Sequence, residues 1–136
     1  RTMNGYTLVT LAGTTNGDGD ATVDSDRPVT GEVLYVDVDG AALSDSANLV
    51  LTPILYELAD GAVETGEQII NHADIGNAAQ DKIYPRRLET DNAGATLTVA
   101  TAVNVSVPYF VPACKLRAVV SAGGATKAFR VRVFLR

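Results

Sequence analysis

Three carboxylate pairs at i, i+2 spacing, one histidine and one cysteine are the side chains that invite a chemical reading. The pairs are Asp18/Asp20, Asp24/Asp26 and Asp37/Asp39. Two carboxylates flanking a sugar ring are the machinery of glycoside hydrolysis. Such a site also wants aromatic platforms, and the sequence has no Trp, five Tyr and three Phe. Solvated turns and strand faces account for these carboxylates better. The first pair lies in Asn16-Gly17-Asp18-Gly19-Asp20-Ala21-Thr22-Val23-Asp24, where oxygen ligands at alternate positions suggest an EF-hand calcium loop. The match fails at Ala21, which replaces the turn glycine, and at Arg27, which stands where a bidentate Glu should close the shell. No metal is expected.

His72, in Asn71-His72-Ala73-Asp74, sets an imidazole beside a carboxylate, two parts of a triad. No serine sits in a nucleophile-elbow context, so a surface histidine is expected. One His and one Cys do not make up the usual zinc ligand set. Cys114 has no His or acidic residue near it in sequence to lower its pKa, and it is read as a buried, inert thiol. Gly123-Gly124 falls between strand-like segments and not before a helix, so it is no phosphate cradle. No catalytic residue, cofactor or metal ligand is predicted, and an enzyme is not expected.

The elements that hold these residues are short β-branched runs broken by Gly, Asn, Asp and Pro. Strands are predicted at 6–11, 21–23, 32–39, 48–58, 67–71, 82–88, 95–101, 103–111, 115–121 and 127–135, with turns at 16–20, 39–40 and 91–94. Pro53 and Pro85 mark an edge, bulge or kink. Only residues 73–80 have helical character, a turn or two at most. Ala122-Gly123-Gly124-Ala125 reads as the turn of a closing hairpin. The expected fold is all-β, a single-domain antiparallel β-sandwich of jelly-roll type over residues 1–136, with residues 1–30 an extended N-terminal arm or edge strands. The expected core is Leu34, Val36, Val38, Leu49, Leu51, Val119, Phe129, Val131 and Val133.

Composition agrees with a folded globule: 46% hydrophobic and 20% charged residues support one core without disulfides. No apolar run reaches the roughly 20 residues of a membrane span, and the first residues read as a strand and not as a signal peptide. The net charge of −5 is unevenly spread. Residues 1–91 hold all 16 acidic residues and five basic ones, whereas residues 92–136 hold six basic residues and no acidic one. The last strand places Arg130, Arg132, Phe134 and Arg136 on one face, and Arg117 on the neighbouring strand extends the row. Arginine around an aromatic is the composition of a protein–protein contact. The acidic turns at Asp18, Asp20, Asp24 and Asp26 of a neighbouring copy, or acidic residues of another protein, are expected to meet it. Overall acidity and few stacking aromatics argue against dedicated nucleic-acid binding.

Three segments together carry a family likeness. They are Thr30-Gly31-Glu32-Val33-Leu34-Tyr35-Val36; Lys82-Ile83-Tyr84-Pro85-Arg86-Arg87, followed by Asp91 and Gly94; and Pro112-Ala113-Cys114-Lys115-Leu116-Arg117-Ala118-Val119-Val120, followed by Gly123-Gly124 and an alternating strand. In this order they resemble small β-rich structural proteins of tailed bacteriophages, head decoration or cement proteins among them. The likeness covers most of residues 28–136. The chain departs from it with Cys114, where Gly is commoner. The resemblance implies a virion component, assembled in the bacterial cytoplasm, that binds between major capsid protein subunits or to other virion proteins. It also implies self-association, a trimer suiting the local three-fold positions of an icosahedral shell. The alternatives are a neck or tail part, a receptor- or carbohydrate-binding β-sandwich, and a small hydrolase on a β-scaffold.

Overall fold

The computed structural model describes residues 2–3, 5–57, 63–73, 75–76, 81–88, 93–96, 98–100, 103–104 and 106–136. The chain is all-β, and no helix occurs among the described residues. The strands are β1 (Thr2–Met3), β2 (Tyr6–Thr14), β3 (Ala21–Asp24), β4 (Val29–Asp39), β5 (Asn48–Glu57), β6 (Val63–Thr65), β7 (Ile70–His72), β8 (Asp81–Ile83), β9 (Arg86–Leu88), β10 (Thr98–Ala100), β11 (Val103–Asn104), β12 (Ser106–Pro108), β13 (Phe110–Ser121) and β14 (Ala128–Leu135).

Ten of them form one antiparallel sheet that folds back on itself. Its first limb runs β1-β2-β14-β4, with β8 on the far side of β4. Its second limb sets β13 between β3 and β5, with β6 and β7 on the far side of β5. The limbs join at a corner, where the start of β13 pairs with the start of β4. The side chains between them make one core: Leu11 of β2, Val33, Val36 and Val38 of β4, Leu49 and Leu51 of β5, Leu116 and Val120 of β13, and Phe129, Val131 and Val133 of β14. Strands with one buried face alternate in this way because successive side chains point to opposite sides.

Two expected core positions are wrong. In β4, a register shift against Phe134 and Leu135 inserts an extra residue. The bulge turns Val33 inward and leaves Leu34 half-buried, so strict alternation back from Val36 picks the wrong neighbour. In β13 the inward residues are Leu116, Ala118 and Val120, and Val119 is half-buried on the outer face.

The expected closing hairpin is also absent. β13 and β14 belong to different limbs, and β4 lies between them in the sheet order. The intervening loop does use left-handed backbone, at Ala122 (φ 55°), Gly124 (φ 83°) and Thr126 (φ 55°). It uses it to cross between limbs. The loop rests on the Asn16–Asp20 turn: the Gly123 N–H donates to the Gly19 carbonyl and the Thr126 N–H to that of Asn16. A Cβ on Gly19 would lie 2.9 Å from the Gly124 nitrogen, so this contact requires glycine.

Pro53 sits inside β5 opposite Leu116, with strands on both sides of β5. It is tolerated because its backbone faces away from β13. Its carbonyl accepts the Gly66 N–H at 2.8 Å, in the gap between the stretches of β5 that β7 and β6 cover. The missing donor therefore costs no ladder bond to β13. Pro85 divides the expected strand at 82–88 into β8, which pairs with β4, and β9, which pairs with β12. In the expected helical turn, residues 74 and 77–80 lie outside the described residues. Ile75 there is buried and donates its N–H to Ala47.

Candidate functional site

The outer face of the first limb gathers four of the five residues singled out for contact. Valine at 131 and 133 turns inward on β14, so Arg130, Arg132, Phe134 and Arg136 turn outward. The same parity on β4 turns Tyr35, Asp37 and Asp39 outward, and the register brings the two rows together. Arg130 lies opposite Asp39, Arg132 opposite Asp37 and Phe134 opposite Tyr35. Directly opposed pairs of opposite charge or of aromatics each contribute roughly 0.2–1 kcal/mol.

The arginines are therefore partnered at home. Arg130 reaches Asp39 at 3.7 Å, Arg136 reaches Glu32 at 3.6 Å, and Arg132 donates to Oδ2 of Asp37. Each of the three thus has an acidic partner on β4 of its own chain. One of the acidic turn residues, Asp24, is itself taken: Arg117 forms a two-pronged contact with it at 2.7 and 2.9 Å. That hydrogen bonding holds the Asp24 carboxyl below its usual range. The pair sits where β3 meets β13, so Arg117 belongs to the second limb and does not extend the arginine row.

Asp37 is the unusual member. It is only 4% exposed although it lies on an outward-facing position. Its Oδ1 has no hydrogen-bond partner among the described residues. A buried acceptor left unsatisfied costs about 1–3 kcal/mol, which the charge-assisted bond to Arg132 offsets.

Next to this ladder lies an aromatic strip. Tyr35 and Phe134 stack at 4.4 Å between ring centroids with 15° between planes, and Tyr84 leans on Tyr35 at 5.8 Å. Phe110 pairs with Glu32 and so shares the face, as does Tyr6 on β2 by alternation from Leu8. Tyr84 is 61% exposed, Phe110 57% and Tyr6 43%. Sequence reading found Phe134 but not Tyr35, Tyr84 or Phe110 as its neighbours. They come from three other parts of the chain, and only strand pairing unites them.

The acidic turn and the cysteine have structural roles. Asn16 Oδ1 accepts the N–H groups of Asp18 and Asp20 at 2.9 and 3.0 Å and so shapes the acidic turn. Cys114 is buried, which pushes its thiol pKa up. It follows Ala113, whose φ of 49° marks a register shift inside β13 and not a loop before a hairpin. Tyr109 is buried with its hydroxyl donating to the Glu67 carbonyl, and burial, together with the Glu67 charge, pushes its pKa up to about 12.

No family model and no curated protein matches this chain. Among solved structures it is similar to a chain in the structure of infectious bursal disease virus Gx strain, at 12% identity and a TM-score of 0.36. The match covers 96% of this chain and 32% of that one, so this chain spans about a third of that neighbour's length. A likeness of that size assigns neither family nor function.

Proposed function

We propose that this chain is a non-enzymatic virion structural protein of a tailed bacteriophage, a capsid decoration or cement protein that binds between major capsid subunits and stabilises the head. The observation that carries the reading is the outer face of the first limb. Phe134, Tyr35 and Tyr84 form an aromatic centre, Phe110 and Tyr6 widen it, and the surrounding arginines are already paired with β4 carboxylates. Aromatic and arginine residues are the side chains that interfaces enrich. Large exposed aromatics gathered on one face of a small protein mark a contact surface. A rigid face with its charges satisfied suits permanent docking onto a lattice of identical sites. The segment likeness at residues 30–36, 82–87 and 112–120 supports the same class. Self-association as a trimer belongs to this proposal.

The test is incorporation into particles stripped of this protein. Phe134→Ala and Tyr84→Ala should raise the off-rate by removing aromatic anchors. Arg132→Glu should slow binding. Salt dependence should be shallow, because home-paired arginines present little net charge to be screened over the roughly 8 Å Debye length. Occupancy by all three variants equal to that of the parent would refute this face as the contact.

A second reading, a carbohydrate-binding module, draws on the same strip, since Tyr84 offers an open ring. A glycan titration that shifts Tyr84 resonances would favour it.

A further inference from the structure

Three dipeptides among the described residues join a side-chain amide or carboxyl to a following glycine: Asn16-Gly17, Asp18-Gly19 and Asp39-Gly40. In such a pair the glycine nitrogen can attack the preceding Cγ and close a succinimide ring, because glycine has no Cβ to block the approach. The fold guards two of the three. Gly19 is buried, and its N–H donates to the Asn16 carbonyl at 3.1 Å. Gly40 is buried, and a Cβ there would lie 2.4 Å from the Ile75 carbonyl oxygen. Gly17 is exposed, has open space around it, and its N–H has no acceptor among the described residues.

Asn16 is also held ready. Its Oδ1 accepts the N–H groups of Asp18 and Asp20 at 2.9 and 3.0 Å, which folds the side chain forward over the Gly17 peptide. Attack on Cγ places negative charge on that same oxygen. Two backbone donors already aimed at it from these distances are the arrangement that stabilises an oxyanion. Holding nucleophile and carbonyl in one turn also spares part of the orientational cost of closing the ring.

We infer that Asn16 is a self-modification site, where the folded turn speeds loss of the side-chain amide and the product releases the crossover loop. The Gly17 nitrogen gives its proton to hydroxide and bonds to Cγ. The Cγ–Nδ2 bond breaks, and ammonia leaves with a proton taken from water. A second water then opens the ring. Cleavage between the nitrogen and Cγ leaves aspartate. Cleavage between the nitrogen and the main-chain carbonyl carbon leaves isoaspartate, whose backbone runs through Cβ and Cγ and is one carbon longer. Either product adds a negative charge. Aspartate keeps both acceptors and hence the turn. Isoaspartate displaces the Asn16 carbonyl, which accepts from Gly19 and from Thr126 of the crossover loop. Thr15, which is bonded to Gly124 and Lys127 of that loop, is next in the chain and shifts with it. Isoaspartate therefore loosens the passage from β13 to β14, whatever the first-limb face binds.

Ageing the purified protein at mildly alkaline pH, followed by peptide mapping in a mass spectrometer, tests this. The peptide that holds Asn16 should gain one mass unit before those that hold Asn48 and Asn71, at a rate that rises with pH. The native protein should react about tenfold faster than the same chain unfolded in guanidinium, a modest share of what two aimed donors can supply. Gly17→Ala fills open space at a residue outside the left-handed region, so it should keep the parental Tm and lose most of the reaction. The isoaspartate form, separated by ion exchange, should lose amide-exchange protection at Gly123 and Thr126, whereas Asn16→Asp should keep it. Earlier reaction at Asn48 or Asn71 overturns the site. A native rate at or below the unfolded rate overturns activation by the turn. A parental rate in Gly17→Ala overturns ring closure by the Gly17 nitrogen. Isoaspartate with parental protection at Gly123 and Thr126 overturns release of the loop.

Discussion

The outer faces of the two limbs obey the same alternation and end up with different surfaces. On the first limb, long side chains face out and find partners across β4 and β14: three arginines on three carboxylates, one aromatic on another. On the second, Val119 lies opposite both Val50 and Thr22, Arg117 lies opposite Thr52, and Arg117 pairs with Asp24 across β3 and β13. The first face is therefore wide, aromatic and braced. The second mixes Val119 and Val50 with threonine, lysine and the Arg117–Asp24 pair, and Thr52 on it is nearly buried. Opposite charges one strand apart let a sheet display arginines without leaving them unpaired.

The largest effect that separates inside from outside comes from the core both limbs share. Phe129→Ala should destabilise by about 3–5 kcal/mol and Leu116→Ala by about 2–5, measured by denaturant unfolding. Val119→Ala, one of the expected core positions, should cost clearly less than Leu116→Ala. Equal costs would mean that the outer face of the second limb is covered after all.

On the first limb, Arg132→Ala should be the most costly of the ladder variants. It strands the nearly buried Asp37 with neither oxygen bonded, and a loss of about 2 kcal/mol is expected for a charge-assisted bond. Asp37→Asn should cost less, because Arg132 still reaches water. Arg130→Ala removes a pair whose side chains are 46% and 40% exposed, and the change should stay within about 0.5 kcal/mol. A ladder that loses the same amount at each rung would show that burial of Asp37 is not what sets the scale.

The smaller second-limb pair is read by acid. Arg117 lowers the folded pKa of Asp24 below its ordinary value of 3.8. The pair therefore stabilises the fold fully above that value, and the contribution is lost as pH falls through the lower, folded pKa. Arg117→Gln should flatten the acid limb of the stability curve there and leave neutral-pH exchange of first-limb amides unchanged. Tyr109 reads the opposite end. Its pKa of about 12 keeps the phenol protonated where an ordinary tyrosine ionises, so its stabilisation is complete below pH 10 and lost as pH rises through about 12. Tyr109→Phe should remove a phenol that titrates late in an absorbance titration.

How much of this was legible depended on whether parity stayed uninterrupted. β14 could be read from sequence because Val131 and Val133 alternate with arginine and nothing breaks the phase. β4 was misread at Leu34 because a bulge is a relation between two strands and leaves no mark on either alone. Val119 and Val120 are adjacent valines, so only the less obvious Ala118 reveals which of them faces in. The hairpin was misread because left-handed backbone serves a crossover as well as a turn, here at Ala122 and Thr126 as well as glycine. The charge split hides a further relation: acidic and basic stretches far apart in sequence are interleaved in the sheet and pair within one chain. The matching Asp37/Asp39 and Arg130/Arg132 spacing was the available signal.

The place of β14 also bears on synthesis. It is the last strand in chain order, yet it lies between β2 and β4 and bonds to both. Until a ribosome has released residues 128–135, those two strands cannot close ranks, and each keeps an unpaired edge facing a gap one strand wide. The first limb thus remains open at its centre until β14 emerges, and Phe129, Val131, Val133 and Leu135 reach the core only with it. A chain stalled short of Ala128 would lack the strand that ties β2 to β4, a state that chaperones and proteases recognise.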